Sequence, residues 1–131
     1  ISAINIEITL SRFLDYFPGY MYVLNENLDK ARAEETANKE AREKENDPGA
    51  VSNGLQGDVI QPLVIRANQG DCLKMTLHNK IADEPTNLVI NGSSMVVSSN
   101  GKPATPSNPD TTVAAGKEQS FEWYIKPDTQ E

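Results

Sequence analysis

The side chains best suited to bind a transition metal or to act as a nucleophile are the only cysteine and the only histidine, Cys72 and His78. A thiolate and an imidazole are both good metal ligands. They stand six residues apart in a segment whose alternating pattern predicts a β-strand, so roughly 20 Å separates them and they cannot share one ion. We therefore expect Cys72 to be a partly buried structural thiol. His78 is expected to be a hydrogen-bonded or exposed surface residue.

Other chemically capable side chains predict no site. The carboxylates of a predicted helix suit Mg²⁺, Ca²⁺ and Mn²⁺, but interleaved lysines and arginines neutralise much of their field. These carboxylates are Glu34, Glu35, Glu40 and Glu43. The methionines are expected at core or rim positions: Met21, Met75 and Met95. The triplet Asn91-Gly92-Ser93 fits the N-glycosylation pattern, but it falls at a predicted strand end. We assign no catalytic, cofactor-binding or metal-binding residue within 1–131.

The composition predicts one acidic domain. The 131 residues carry a formal net charge of -7, which argues against nucleic acid or an anionic membrane as the principal partner. A single cysteine excludes an internal disulfide. No apolar run approaches the roughly 20 residues of a transmembrane helix, and the first residues lack the features of a signal peptide. Because the chain begins with Ile1 rather than Met, we expect a processed product or a piece of a longer protein.

Two strands are predicted at the start of the chain, within residues 1–24. Apolar and polar residues alternate over residues 4–10, which predicts a strand with one buried face. Pro18-Gly19 indicates a turn, and residues 21–25 predict the second strand.

Residues 25–49 have a different character, because Ala, Glu, Lys and Arg dominate and Leu28 is the only large apolar side chain. This composition predicts a helix. It lacks a wide apolar stripe that would dock on a core, so we expect a solvated helical insertion that protrudes from a β-domain. The functional alternative is an arm that attracts cations or binds a partner.

Residues 57–127 return to short strands and form the main sandwich strands of the prediction. Strands are predicted at 62–67, 72–80 and 86–90, and after a turn at Ala115-Gly116. Residues 68–71 are expected to form a tight turn that joins the strands at 62–67 and 72–80 into a hairpin. The side chains expected to face inward are Leu73, Met75, Leu77, Phe121, Trp123 and Ile125. Regularly spaced short strands indicate a sandwich or a Greek-key barrel.

Three segments of this region resemble the cupredoxin domains of multicopper oxidases. The run QPLVIRANQGDCLKMTLHNK resembles the hairpin that opens those domains, and NPDTTVAAGKEQSFEWYI resembles a later, aromatic hairpin. Between them, TNLVINGSSMVVSSNG occupies the position in the sequence where those domains have their His-x-His-Gly strand. The residue patterns of these segments are most similar to those of the ceruloplasmin-like group, which includes bacterial manganese- and iron-oxidising enzymes. The resemblance covers about residues 57–127 and implies a single cupredoxin-like domain, 1–131, with a mainly β, Greek-key sandwich.

The resemblance puts Val89 and Asn91 where those oxidases hold two copper-binding histidines. Valine has no lone pair to offer, and a neutral amide is a poor copper ligand. A blue-copper centre needs two histidines and a cysteine near the end of the domain, whereas Cys72 and His78 lie on the opening hairpin. This implies that residues 1–131 hold no metal and that copper belongs to other parts of the intact assembly.

The resemblance also implies further polypeptide. Cupredoxin sandwiches carry more strands after the aromatic hairpin, so the sandwich is expected to be incomplete in this chain. A continuation of the same protein or another subunit would complete it.

These features lead to one main functional expectation and two alternatives. The main one is the N-terminal, copper-free segment of a multicopper oxidase, extracellular, periplasmic or at the cell surface, that oxidises a metal ion or small reductant and reduces O2 to water. The segment alone is not expected to be catalytic. The first alternative is a non-catalytic cupredoxin-like subunit or assembly module that binds partner chains. The second is a secreted β-sandwich of unrelated descent, such as an adhesin or carbohydrate-binding domain, with Trp123 and the tyrosines stacking on a ligand.

Overall fold

The structure, a computed structural model, describes residues 1–10, 15–45, 58–88, 94–97 and 111–125. Strand residues outnumber helical ones, so the prediction of a mainly β chain with one charged helix is confirmed. The chain divides into two compact units, which we call the N-terminal unit (Ser2–Leu63) and the C-terminal unit (Ile1 with Val64–Glu131). The single domain predicted over 1–131 stays a prediction. No helix in this described part of the chain is long and apolar enough to cross a membrane.

The N-terminal unit begins with an antiparallel pair of strands, β1 (Ser2–Thr9) and β2 (Tyr16–Val23). Every residue of β1 has a partner in β2, from Ser2 opposite Val23 to Thr9 opposite Tyr16. Just beyond the strands, the Leu10 N–H donates to the Asp15 carbonyl over 2.8 Å. The two predicted strands are therefore present, but the second spans Tyr16–Val23 rather than the predicted 21–25.

The turn predicted at Pro18-Gly19 is wrong, because both residues lie inside β2, opposite Glu7 and Ile6. Proline is tolerated there because β2 pairs with β1 alone among the described strands, and an edge strand can spare an N–H donor. A Cβ at Gly19 would lie 2.7 Å from Ile8 Cδ1, so a larger residue here would require the end of the Ile8 side chain to shift.

The core of the N-terminal unit confirms the alternation predicted for β1. Ile4 and Ile6 are 0 % and 3 % exposed, and they cluster with Val23, Ala31 and Ile60. Half-buried apolar side chains surround this cluster: Ile8, Met21, Leu28 and Val59. The predicted alternation fails at the last residue of the strand, since Thr9 is buried and Leu10 is exposed.

The helix α1 spans Leu28–Glu40, after a 3-10 turn at Asn25–Asn27 and before a π-helical turn at Ala41–Glu45. The interpretation of this segment as a protruding, solvated insertion is wrong for one of its faces. Ala31, Asn38 and Ala41 are buried at helical spacing. The face was missed because small and polar residues form it, whereas an apolar stripe normally requires large side chains. The predicted end at residue 49 lies outside the described residues.

Polar contacts hold α1 against β1. Arg32 Nη1 donates to the Asn5 carbonyl at 2.8 Å, and the Glu7 N–H donates to Glu35 Oε1 at 2.7 Å. Arg32 and Glu35 also form an ion pair with each other at 2.8 Å. The Arg42 guanidinium, on the π-helical turn, binds the Glu7 carboxylate. Charged side chains thus make the docking contacts that large apolar residues would usually make.

A second acidic side chain fastens α1 to the segment that follows residue 57. Glu34 Oε2 accepts the Val59 N–H at 2.6 Å and the Ile60 N–H at 3.3 Å. This carboxylate holds Ile60 in place over the N-terminal core, where its side chain is buried. Neighbouring glutamates, 34 and 35, therefore fix two different segments to one helix.

The C-terminal unit contains five strands in the described residues: β3 (Cys72–Asn79), β4 (Thr86–Asn87), β5 (Ser94–Val97), β6 (Thr112–Val113) and β7 (Glu118–Tyr124). β3 and β5 flank β7, and both pair with it in antiparallel fashion. β4 and β6 form a separate antiparallel pair. Ile1 bonds to β3, since its amino group donates to the Thr76 carbonyl and its carbonyl accepts the His78 N–H. The finer Greek-key arrangement is not established by this order of strands.

The strand predicted at 62–67 is wrong, although the turn after it is confirmed. Gly70 has φ of +88°, and the Asp71 carboxylate accepts the Asn68 N–H at 2.7 Å. The turn then bonds to Ile125, through the Gly70 N–H and the Asp71 carbonyl. The expected hairpin therefore does not form, and Val64 remains 73 % exposed.

The core of the C-terminal unit lies on the inner face of β3 and β7, as predicted. Leu77, Phe121 and Trp123 are buried, and the Phe121 and Trp123 rings lie 5.4 Å apart, centroid to centroid. Leu73, Met75 and Ile125 are half-buried. The turn predicted at Ala115-Gly116 is confirmed, with Gly116 at a φ of +70°.

Asn79 ties three segments of this unit together. Its side-chain amide donates to the Glu84 carbonyl at 2.8 Å and to the Val113 carbonyl at 2.9 Å, while its Oδ1 accepts the Ile81 N–H at 3.0 Å. The residue is 1 % exposed. A buried side-chain amide stabilises the fold only when its hydrogen bonds are formed. A buried donor or acceptor without a partner costs the free energy of its desolvation.

We expect Ala31→Leu to destabilise the protein by about 1–3 kcal/mol, since Ala31 is fully buried and extra methylene groups must displace the N-terminal core. Ala33→Leu, on the exposed face of the same helix, is the matched control and should change stability by about 0.5 kcal/mol or less. Urea unfolding followed by far-UV circular dichroism measures both. Equal stabilities of the two variants would contradict the docked helix.

We expect Asn79→Ala to cost about 3 kcal/mol of unfolding free energy, because buried backbone groups at Ile81 and Val113 lose their partner. Lys80→Ala, at the exposed next position, should be nearly neutral. Urea midpoints of the two variants provide the comparison. A loss below about 0.5 kcal/mol for Asn79→Ala would show that water replaces the amide.

Candidate functional site

The strand predicted to correspond to a copper-binding strand is described only at its beginning. Thr86 and Asn87 form β4, opposite Val113 and Thr112 of β6. Val89, Asn91 and the glycosylation triplet 91–93 lie outside the described residues. The absence of a metal on this segment therefore stays a prediction.

The outer face of β3 and β7 carries a row of polar cross-strand pairs. His78 Nδ1 lies 2.8 Å from Glu118 Oε2, and Lys74 Nζ lies 3.5 Å from Glu122 Oε1. Between them, the Thr76 and Ser120 hydroxyls are 2.8 Å apart. Each pair joins residues directly opposite in the register. We call this row the β3–β7 polar ladder; opposed polar pairs of this kind stabilise a sheet by a few tenths of a kcal/mol each, up to about 1 kcal/mol.

Cys72 lies at the end of this ladder, and its predicted partial burial is wrong. The residue is exposed, and its thiol donates to Glu122 Oε1 at 2.9 Å. The reason is the register of β3: positions 73, 75, 77 and 79 face inward, so Cys72 faces outward. His78, half-buried and bonded to Glu118, agrees with the hydrogen-bonded surface residue that the sequence predicts.

The ladder keeps its potential metal ligands apart. The Lys74 and Thr76 pairs separate Cys72 from His78 along the strands, and each of the two binds a different glutamate. Within the described ranges, no three His, Cys, Asp or Glu side chains gather closely enough to hold a metal ion. What the arrangement provides is a fixed register between β3 and β7.

The charges around Cys72 favour its neutral form. The hydrogen bond to the Glu122 carboxylate raises the pKa of the Cys72 thiol above its ordinary value, and partial desolvation and the negative charge of Glu122 act in the same direction. The Lys74 ammonium opposes them. The same thiol hydrogen bond lowers the pKa of Glu122. Since the thiolate is the nucleophilic form, this thiol is less reactive than its exposure suggests.

The remaining candidates are structural where they are described. Met21 packs against the N-terminal core, and Met75 is half-buried on the inner face of β3. Met95 lies on β5, opposite Trp123. Trp123 is 1 % exposed, which confirms its inward position and removes it from any stacking surface.

The N-terminal unit contains a cleft that the sequence did not indicate. It encloses about 460 Å³ and is lined mostly by apolar side chains. Its walls come from the end of β1, from β2 and from the segment after residue 59: Ile8, Tyr20, Met21, Tyr22, Ile60, Gln61, Pro62 and Leu63. The volume falls in the range of small-molecule sites. Its polar lining residues are two tyrosines and Gln61, and no charged side chain lines the described walls.

We expect Glu122→Gln to make Cys72 react faster with a disulfide reagent near pH 8. Removing the carboxylate removes the main cause of the raised thiol pKa, so the thiolate forms at lower pH. Lys74→Gln should slow the reaction, because Lys74 acts in the opposite direction. The pH dependence of the reaction rate measures both variants. Identical pH profiles would show that the thiol and Glu122 are not bonded in solution.

Comparison with protein-family models and curated proteins identifies no relative of this chain. No protein-family model matches the sequence, and a search of curated proteins finds no similar one. The resemblance to multicopper oxidases therefore rests on the three sequence segments alone.

Proposed function

We propose that the chain is a copper-free, cupredoxin-like structural part of a multicopper oxidase with a Greek-key sandwich. Enzymes of this kind oxidise a metal ion or small reductant and reduce O2 to water. In this proposal the copper ions and the catalytic residues belong to other polypeptide. The chain contributes a β-scaffold that packs against copper-bearing domains, outside the cell, in the periplasm or at the cell surface.

One observation carries the proposal: segments that resemble separate cupredoxin motifs form adjacent strands. β3 comes from the run that resembles the opening hairpin, and β7 comes from the aromatic hairpin about 40 residues later. They pair over seven positions, from Cys72 opposite Tyr124 to His78 opposite Glu118. The start of the third segment, β4, pairs in the same unit. A chance likeness in three segments would not require them to meet in one unit.

The chemistry of the described residues agrees with a scaffold role. The only imidazole is bound to Glu118, and the only thiol is bound to Glu122 and kept neutral. Both side chains take part in the β3–β7 polar ladder. A residue that fixes strand register is needed for the sheet whether or not metal is present elsewhere.

A non-catalytic subunit or assembly module is the second candidate, and exposed aromatic residues favour it. Tyr16, Phe17 and Tyr20 on β2 are between 42 % and 59 % exposed. Aromatic side chains are enriched at protein–protein interfaces. In this case the partner chains need not contain copper.

The test is the metal content of the native particle, isolated through a tag on this chain at its natural level. We expect several copper ions per particle by elemental analysis, and oxygen uptake with Mn(II), Fe(II) or an aromatic amine as reductant. A copper-free particle with other chains would support the assembly module instead. A copper-free species of 14.4 kDa would remove the oxidase proposal.

A double variant of the same particle provides the control. Cys72→Ser with His78→Ala removes the only thiol and the only imidazole of the chain. We expect the copper content per particle to remain that of the wild type, because the proposal assigns no ligand to these residues. Loss of one copper equivalent would show that the chain itself holds metal.

A further inference from the structure

The cleft of the N-terminal unit has the dimensions of a ligand site rather than of a packing gap. Its volume of about 460 Å³ lies within the roughly 300–1,000 Å³ of small-molecule pockets. Protein interiors, by contrast, contain few voids larger than a water molecule. All of the lining residues, from Ile8 to Leu63, belong to the N-terminal unit. The cleft is therefore a feature of this unit alone, and it has room for an organic molecule.

The walls of the cleft are held in place by contacts within the protein. Met21 packs against the N-terminal core, and its strand, β2, is paired with β1 along its whole length. Ile60 is buried in the same core, and its N–H donates to the Glu34 carboxylate at 3.3 Å. Closing the cleft by moving these walls together would break the contacts. A pre-formed site of this kind binds its ligand without the cost of ordering the walls.

The lining favours an uncharged and mainly apolar molecule. Ile8, Met21 and Leu63 are half-buried, so part of each side chain is left for a ligand to cover. No charged side chain lines the described walls. A charged group in the cleft would therefore lose hydration without gaining an oppositely charged partner. The formal net charge of -7 on the chain adds a long-range repulsion of anions.

The polar residues of the cleft narrow the class of ligand further. Tyr20 and Tyr22 are two residues apart on β2, so their rings project from the same face of the strand. Aromatic rings contact one another favourably in offset-stacked and edge-to-face arrangements. Gln61 is exposed, and its side-chain amide offers both a donor and an acceptor. An aromatic molecule with a hydrogen-bonding group matches these walls.

We propose that this cleft is a binding site for a small, uncharged aromatic molecule that carries a hydrogen-bonding group. The combination of neutral apolar walls, two tyrosine rings and one amide assigns this chemical class. The site does not depend on the oxidase proposal, because none of its residues lies in the segments that resemble cupredoxins, apart from Gln61, Pro62 and Leu63 at the start of the first one.

N-phenylnaphthylamine is a suitable probe, because it is an uncharged aromatic amine. Isotopic labelling of the methionine methyl groups of the full chain shows where it binds. Met21 lines the cleft, whereas Met75 and Met95 lie on strands of the C-terminal unit. We expect titration with the probe to shift the nuclear magnetic resonance signal of the Met21 methyl group saturably and to leave the other two unchanged. An unchanged Met21 signal, or equal shifts of all three, would overturn the proposal.

A charged relative of the probe tests the requirement for a neutral ligand. Anilinonaphthalenesulfonate has the same aromatic skeleton with a sulfonate group added. Titrated against the same Met21 signal, it should bind about tenfold more weakly or worse, because the cleft does not replace the hydration of the sulfonate. Equal or tighter binding of the anion would contradict the assignment of an uncharged ligand.

Two exposed aromatic residues of β2 provide a matched pair of variants. Tyr20 lines the cleft and Phe17 does not, although they are 59 % and 42 % exposed. Tyr20→Ala should raise the dissociation constant of N-phenylnaphthylamine about fivefold, and Phe17→Ala should change it by about twofold or less. Equal effects of the two substitutions would overturn the proposal. If Tyr20→Ala does not fold, the three methionine signals of the wild type still decide the outcome.

The same titration distinguishes a small ligand from a second copy of the chain in the cleft. The dissociation constant of the probe should be the same at low and at high protein concentration. Weaker probe binding as the protein concentration rises would show that another copy covers the cleft, and the small-molecule site would then be wrong.

Discussion

The organisation of the N-terminal unit depends on two charged side chains that bind backbone groups of a neighbouring strand. Arg32 and Glu35 bond to Asn5 and Glu7 as well as to each other. A hydrogen bond to a charged group contributes about 1.5–3 kcal/mol when water is excluded, and less here because Arg32 is 41 % exposed. Ala31 and Leu28 add apolar contacts with the core of this unit. Polar contacts and the close approach at Ala31 together fix the position of the helix.

Features with a local cause were predictable from the sequence. Period-two alternation identified β1 and β3. Glycines in the sequence marked the turns at Gly70 and Gly116, and in the structure both have a positive φ. The errors have tertiary causes. Pro18-Gly19 lies within β2 because, among the described strands, β2 pairs with β1 alone, so the missing N–H of Pro18 is tolerated. The helix docks because its partners stand in β1, and no pattern within 25–49 could reveal them.

The candidate site shows the same division. Sequence identified Cys72 and His78 as the chemically distinctive residues and placed them too far apart for one metal. Their partners, Glu122 and Glu118, were missed, because only the register between β3 and β7 brings them together. The exposure of Cys72 followed from the predicted alternation, which places Leu73, Met75 and Leu77 inward and residue 72 outward. The expectation of burial rested instead on the usual behaviour of free cysteine. The cleft was missed because its walls come from segments on either side of the helix.

The position of Trp123 gives the two units separate optical reporters. It is the only tryptophan of the chain, and it is buried in the C-terminal unit. The helix of the described residues belongs to the N-terminal unit. Tryptophan fluorescence thus follows one unit, while the far-UV ellipticity of the helix follows mainly the other. Coincidence or separation of the two melting curves then reports directly whether the units unfold as one cooperative body.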